Sequence, residues 1–131
     1  MSLRFSIPMK PIAKGRPRFG RTWRGKPTAY TPETTAVFEA HFKAAALRFR
    51  PVSPLVGALR LRAAFTFRAP TKKLIGKPKE TRADLDNLLK AVTDAMNGTF
   101  YKDDGQISEI YAVKVYGASE QIDIELERIA V

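Results

Sequence analysis

The sequence contains no cysteine and only one histidine, His41. Without cysteine, the chain has no disulfides, no thiolate zinc site and no cysteine nucleophile. A single histidine also disfavours sites that need several imidazole ligands or a histidine-containing catalytic triad. Any hydrolytic centre in this protein must therefore be built from carboxylates, hydroxyl groups and lysines.

Long apolar runs are also missing, and the N-terminus lacks the apolar core of a signal peptide. We therefore expect a cytoplasmic protein that does not contact a membrane. We also expect that it needs no small-molecule cofactor. The length of 131 residues and the hydrophobic fraction of 44% are typical of a globular chain that buries one core. We expect one domain over residues 1–131.

The net charge of +10 is unevenly distributed along the chain. Residues 1–80 carry 18 Lys and Arg against 3 Asp and Glu, whereas residues 81–131 carry 5 against 10. One interpretation is an ordinary solvated basic surface. A polyanionic partner is favoured, because clustered cations gain affinity by releasing counterions from phosphates. Membrane phosphates would match the charge equally, but no segment pairs a basic face with a broad apolar one.

Apolar periodicity and turn residues predict an α/β (α+β) domain in the order β-α-β-α-β-β, with a mixed sheet of about four strands covered by two main helices. Thr31 and Pro32 favour a helix start, and Pro51 ends its pattern of Val37, Phe38, Phe42, Ala45, Ala46 and Phe49. A second helix is predicted over about 85–97 by the stripe Leu85, Leu88, Leu89, Val92 and Met96. The predicted strands are 3–7, 55–67, 107–116 and 121–129.

Residues 8–31 are predicted to lack long regular structure, because they are rich in proline and glycine. This basic segment also contains Phe19, Trp23 and Tyr30. A long irregular insertion in a small domain is usually functional or disordered. Residues 70–82, which are polar and basic, are predicted to form a loop.

Five of the six aspartates fall between positions 84 and 104. Asp84 and Asp86 stand at the start of the second predicted helix, and Asp103 and Asp104 follow its end. Mg²⁺ prefers oxygen ligands and typically takes a few carboxylates together with water and substrate phosphate. Lys90, four residues after Asp86, would lie on the same helix face. Residues 84–104 are therefore a candidate metal site.

Simpler interpretations of the same residues remain open at this point. Asp84 could serve only as a helix cap, and Asp86 is favourable at any helix N-terminus. Lys90 with Asp86 and Asp94 could form an ordinary surface charge ladder. Asp103 and Asp104 suit a turn. Spacing alone does not decide between these roles and a metal site.

The motif Asp84-Leu85-Asp86-Asn87-Leu88-Leu89-Lys90, followed by Asp94-Ala95 and Asp103-Asp104-Gly105-Gln106-Ile107, resembles the signature of the RusA-type Holliday junction resolvase family. Lys14-Gly15-Arg16-Pro17-Arg18 and Tyr30-Thr31-Pro32 are also similar to that family's opening segment. The resemblance extends over nearly the whole chain. One departure is Ala83, where family members often have proline.

This resemblance implies a small, dimeric endonuclease that cuts four-way DNA junctions with Mg²⁺, for which Mn²⁺ can substitute. It implies that Asp84, Asp86 and Asp104 are the catalytic metal ligands, with Asp103 as a further candidate, and that Lys90 is the essential lysine. Asp94 matches an acidic position for which structural support is the safer interpretation. The enzyme would be bacterial or prophage-encoded and would act in DNA recombination and repair.

The basic segments then have a predicted partner in branched DNA. The expected DNA contacts are Lys14, Arg16, Arg18, Arg21, Trp23, Arg24, Lys26, Lys72 and Lys73. The cations would contact phosphates, and Trp23 could stack on unpaired bases. Three other functions remain open: a nuclease that prefers flaps or forks, a non-catalytic DNA-binding protein with structural carboxylates, and, less favoured, a basic RNA-binding protein.

Overall fold

A computed structural model describes residues 2–15, 18–21, 27–30 and 33–130. For residues 18–21, 27–30 and 33 it describes the backbone alone. The described elements are β1 (Ser2–Ile7), β2 (Arg18–Arg21), β3 (Pro27–Tyr30), α1 (Glu33–Ala46), β4 (Leu59–Arg68), α2 (Leu85–Met96), β5 (Ile107–Gly117) and β6 (Gln121–Arg128). Short 3₁₀ turns cover Leu47–Phe49, Lys72–Leu74 and Asp104–Gln106.

The main sheet has four strands in the order β1-β6-β4-β5. Strand β6 pairs antiparallel with β1 and with β4, whereas β4 and β5 are parallel. Parallel neighbours need a crossover connection, and α2 lies in the one between β4 and β5. The predicted α+β class, with a mixed sheet of four strands and two main helices, is confirmed.

One face of the sheet supplies the core, because alternate residues of each strand point to the same side. Arg60 and Arg62 of β4 point to the opposite face, whereas the alternate residues of this strand are buried: Leu59, Leu61, Ala63, Phe65 and Phe67. Helix α1 packs against α2 and β1. The largest fully buried side chains include Tyr101, Phe42, Phe65, Phe100, Leu59, Leu61, Leu88 and Met96.

Helix α1 buries a narrower stripe than the sequence predicted. Phe38, Phe42 and Ala46 are buried at four-residue spacing, but Val37 is 47% exposed and Ala45 is also exposed. The prediction was wrong at these two positions, because residues one place before a buried position turn about 100° around the helix axis. Neither α1 nor α2, the α-helices of the described ranges, is long and apolar enough to cross a membrane.

Strands β2 and β3 form a separate two-stranded antiparallel sheet within the segment expected to be irregular. Arg18 pairs with Tyr30, and Arg21 pairs with Pro27. This hairpin was not predicted from the sequence, because its strands are only four residues long, β2 contains Gly20, and neither strand shows apolar alternation. Backbone pairing defines the hairpin, and it begins three residues after Gly15.

Candidate active site

The candidate site lies where α2 begins and where the chain returns after α2 ends. Asp84 occupies the N-cap position in an extended conformation, and its carbonyl accepts a hydrogen bond from the Leu88 amide at 3.0 Å. Asp86 lies in the first turn of the helix, and both aspartates are exposed. The first amides of a helix lack internal partners, so this end favours negative charge.

Asp103 and Asp104 have different surroundings although they are neighbours. The Asp103 side chain accepts a hydrogen bond from the Gly105 amide at 2.9 Å, and the Gln106 side chain accepts bonds from the amides of Lys102 and Asp103. These contacts form a capping box on the 3₁₀ turn. A Cβ added to Gly105 would lie 2.7 Å from Asp103 Oδ2, so the turn favours glycine there.

The Asp104 carboxylate, in contrast, contacts Lys90. The distance from Lys90 Nζ to Asp104 Oδ2 is 3.3 Å. The structure thus brings together two of the four residues predicted to be catalytic, one from α2 and one from the turn that follows it. Capping supplies a structural role for Asp103, and the preference for Asp104 over Asp103 as a metal ligand stays a prediction.

Asp94 connects this pair to the N-terminal segment. Its carboxylate lies 3.1 Å from Lys90 Nζ and 2.7 Å from Lys14 Nζ. Lys14 also lies 2.9 Å from Glu39 Oε1 on α1. A chain of alternating charges therefore runs through Glu39, Lys14, Asp94, Lys90 and Asp104. We call it the ion-pair network.

The pKa values of Lys14, Lys90 and Asp94 are shifted in the directions that favour their charged forms. The hydrogen bond to Asp94 raises the pKa of Lys14 and of Lys90, against a smaller opposing effect of burial. Burial by itself would raise the pKa of Asp94, but the hydrogen bonds from both lysines outweigh it and hold that pKa below its ordinary value. Lys90 is therefore a cation at neutral pH.

Tyr101 holds the turn after α2 against the helix. This side chain is fully buried, and its hydroxyl donates a hydrogen bond to the Thr93 carbonyl at 2.6 Å. Burial raises the pKa of Tyr101, and the nearby charges of Asp104, Asp94 and Asp103 raise it further. Tyr101 was not identified from the sequence, because a tyrosine after Phe100 gives no signal that distinguishes an anchor from an ordinary core residue.

Two lysines hold the segment that leads into Asp84. Lys114 on β5 donates hydrogen bonds to the carbonyls of Thr81 and Ala83, the latter at 2.6 Å. Lys79 donates to the Thr81 hydroxyl at 2.6 Å and to the Arg82 carbonyl. Lys114 was not predicted to have a role, since a single lysine in a strand of alternating pattern gives no functional signal.

Three of the predicted DNA contacts have side chains that the structure describes. Lys72 and Lys73 are exposed on a 3₁₀ turn of the loop between β4 and α2, and Lys14 is paired with two carboxylates. Only the backbone of Arg18 and Arg21 is described, in β2. Arg16, Trp23, Arg24 and Lys26 lie outside the described residues. Their contacts with DNA stay predictions.

Within the described ranges, no three His, Cys, Asp or Glu side chains form a group close enough to hold a metal ion. Asp84, Asp86 and Asp104 are nevertheless the right chemical type for Mg²⁺. They are oxygen donors, and the two on α2 are open to water and to a substrate phosphate. The donor set fits a divalent ion that keeps several water ligands, and the three assigned ligands stay a prediction.

A mixed-sheet domain with exposed carboxylates at the start of a helix and a protonated lysine further along the same helix has the groups of a phosphodiester hydrolase. The sequence matches the model of the family described as "Endodeoxyribonuclease RusA" over residues 8–127. The chain belongs to this family and is therefore an endodeoxyribonuclease, a hydrolase of DNA phosphodiester bonds. The resemblance inferred from the aspartate motif is confirmed.

Two similar proteins differ in how much of the chain they match. The uncharacterized protein YqaN of Bacillus subtilis (strain 168) is 25% identical over 139 aligned positions, which cover 98% of this chain and 97% of that protein. The crossover junction endodeoxyribonuclease rusA of Lactococcus phage r1t is 36% identical over 72 residues, which cover 54% of this chain and 55% of that protein.

Proposed function

We propose that this endonuclease resolves four-way DNA junctions with Mg²⁺ as its cofactor, for which Mn²⁺ can substitute. The observation that carries the proposal is the contact of Lys90, in the middle of α2, with Asp104 from the turn after that helix. Asp84 and Asp86 lie at the start of the same helix. The phage relative, whose name specifies a crossover junction as its substrate, supports the choice of DNA structure.

In this proposal Asp84, Asp86 and Asp104 hold the metal ion. Bound there, Mg²⁺ would supply Lewis-acid chemistry, namely activation of water, polarisation of the scissile phosphate and stabilisation of the leaving oxygen. Lys90 supplies a fixed positive charge where negative charge develops on the phosphate or on the departing 3′ oxygen. Its pKa is raised by Asp94, so Lys90 remains protonated while it does so. Hydrolysis would leave 5′-phosphate ends.

The basic surface would position the junction. Trp23 is proposed to stack on a base at the branch point, and seven cations are proposed to contact phosphates: Lys72, Lys73, Arg16, Arg18, Arg21, Arg24 and Lys26.

Symmetric resolution needs two cuts on opposite strands, and a homodimer would supply two equivalent sites. Sedimentation of the purified protein at its assay concentration tests this stoichiometry. We also propose that the protein acts in the cytoplasm, in DNA recombination and repair.

The decisive experiment measures cleavage of a synthetic four-way junction with labelled arms at one fixed salt concentration. We expect paired nicks that require Mg²⁺ or Mn²⁺ and disappear with a chelator. Asp84→Asn is expected to abolish the nicks and to retain junction binding. The matched control is Asp123→Asn, an aspartate on the opposite face of the sheet, which is expected to cleave as the wild type does.

Flap and fork substrates with the same arm sequences test the rival preference. Faster cleavage of flaps or forks than of four-way junctions would replace the proposed substrate with these structures. Wild-type protein that binds junctions without any metal-dependent cleavage would instead support a DNA-binding role with structural carboxylates.

A further inference from the structure

Lys14 joins three parts of the protein. Its backbone amide donates to the Asn87 carbonyl in the first half of α2 at 2.8 Å, and its ammonium group bridges Glu39 on α1 and Asp94 on α2. The next amide, of Gly15, donates to the hydroxyl of the buried Thr35 at 2.7 Å. These contacts hold the segment that precedes the β2–β3 hairpin against both helices.

Asp94 is the residue through which Lys14 reaches Lys90. The Asp94 side chain is 18% exposed and receives both ammonium groups, on its two different oxygens. Lys90, in contrast, is 55% exposed, and a long lysine side chain at such a position has several accessible rotamers. Asp94 restricts those rotamers because it lies one helical turn after Lys90 and within ion-pair distance.

We infer that Lys14 is a positioning residue for Lys90: it fixes the Asp94 carboxylate, which holds the Lys90 ammonium group beside Asp104. This inference rests on the proposed function, since it assigns Lys90 its catalytic place. It also gives Lys14 a different role from the neighbouring arginines, which are proposed to contact phosphate directly. Lys14 thus connects the segment before the hairpin to the catalytic helix.

The charges around Lys14 support this assignment. Its single positive charge faces two carboxylates within 2.9 Å, so its attraction for a DNA phosphate is largely cancelled. A lysine that serves mainly as a phosphate contact gains affinity by releasing counterions, and this needs an unneutralised charge. The side chain is also only 24% exposed.

The test compares Lys14→Met, Asp94→Asn and the double variant with Lys43→Met, an exposed lysine of α1 used as the control. We expect Lys14→Met and Asp94→Asn each to slow single-turnover cleavage at saturating protein by roughly 10–100-fold, as removal of an orienting partner does in metal sites. The double variant should lose little more than the more affected single variant, because both changes interrupt one connection.

Salt dependence separates positioning from phosphate contact. Losing one phosphate contact reduces the slope of log affinity against log salt by about 0.9. We expect Lys14→Met to keep the wild-type slope. A reduced slope together with an unchanged single-turnover rate would overturn the inference and assign Lys14 to DNA binding.

A third measurement does not depend on cleavage. In the metal-free, DNA-free protein, the NMR signal of the Lys90 ammonium group should be protected from exchange with water, and Lys14→Met and Asp94→Asn should each remove that protection. An unchanged signal in both variants would overturn the positioning role. If the wild type does not cleave junctions, this signal still tests the inference separately from the proposed function. Asp94→Asn keeps the side-chain shape, so it remains informative if Lys14→Met folds poorly.

Discussion

The protein carries ion pairs on both sides of its sheet, and the two sets differ in how they are assembled. On the face opposite the helices, Arg60 lies 2.9 Å from both Glu109 and Glu127, and Arg4 lies 3.1 Å from Glu125. Each of these pairs joins directly opposed residues of neighbouring strands. Strand register alone therefore brings them together.

The ion-pair network has a different origin. Only its Lys90–Asp94 pair is local, at a spacing of four residues on α2. Lys14, Glu39 and Asp104 come from three other segments of the chain. The sheet-face pairs therefore follow from pairing of the strands, whereas the ion-pair network depends on the packing of α1, α2 and the turn after α2. A change in that packing should affect activity more than a change on the open face does.

The largest expected effect on stability comes from Tyr101, which holds the turn after α2 against the helix. Tyr101→Phe removes the buried hydrogen bond to the Thr93 carbonyl and should lower the free energy of unfolding by about 1–3 kcal/mol. Chemical denaturation measures this change. Tyr111→Phe is the matched control on the open face, where the tyrosine is 56% exposed, and it should change stability by less than about 0.5 kcal/mol. Equal losses would remove the distinction between the two sides.

A smaller effect concerns acid stability. The pKa of Asp94 in the folded protein lies below its ordinary value of 3.8, so its contribution is fully present above that value and is lost as pH falls through the folded pKa. Asp94→Asn should therefore be less stable than the wild type at about pH 7, and the difference should shrink at about pH 3. Thermal unfolding at both pH values measures it. A difference that grows in acid would contradict the assigned ion pairs.

The smallest effect is expected on the open face. Arg4→Met removes an ion pair whose arginine is 78% exposed, and such pairs contribute about 0–1 kcal/mol. Denaturation should show a change within that range, and junction cleavage should be unaffected. Reduced cleavage in this variant would show that the open face takes part in the reaction and would break the comparison.

Much of the fold could be predicted from the sequence because the signals were local. Leu88, Val92 and Met96 recur at helical spacing and are buried, and Asn97 and Gly98 follow the end of α2, with Gly98 at a positive φ of 81°. The alternation in β4 and β6 likewise identified the buried face. The β2–β3 hairpin could not be predicted in this way, because its two strands are only four residues long and show no apolar alternation.

For the candidate site, the sequence by itself determined the chemistry: no thiols, one imidazole, five clustered aspartates and a lysine on the same helix as two of them. Its motif was also sufficient for the family. Only the tertiary structure decided the partners of these residues. Lys90 contacts Asp104, two lysines share Asp94, and the positive charge of Lys14 is neutralised by carboxylates of the protein itself. The physical reason is that helical spacing is a property of local sequence, whereas contacts between distant segments exist only once a common core has packed them together.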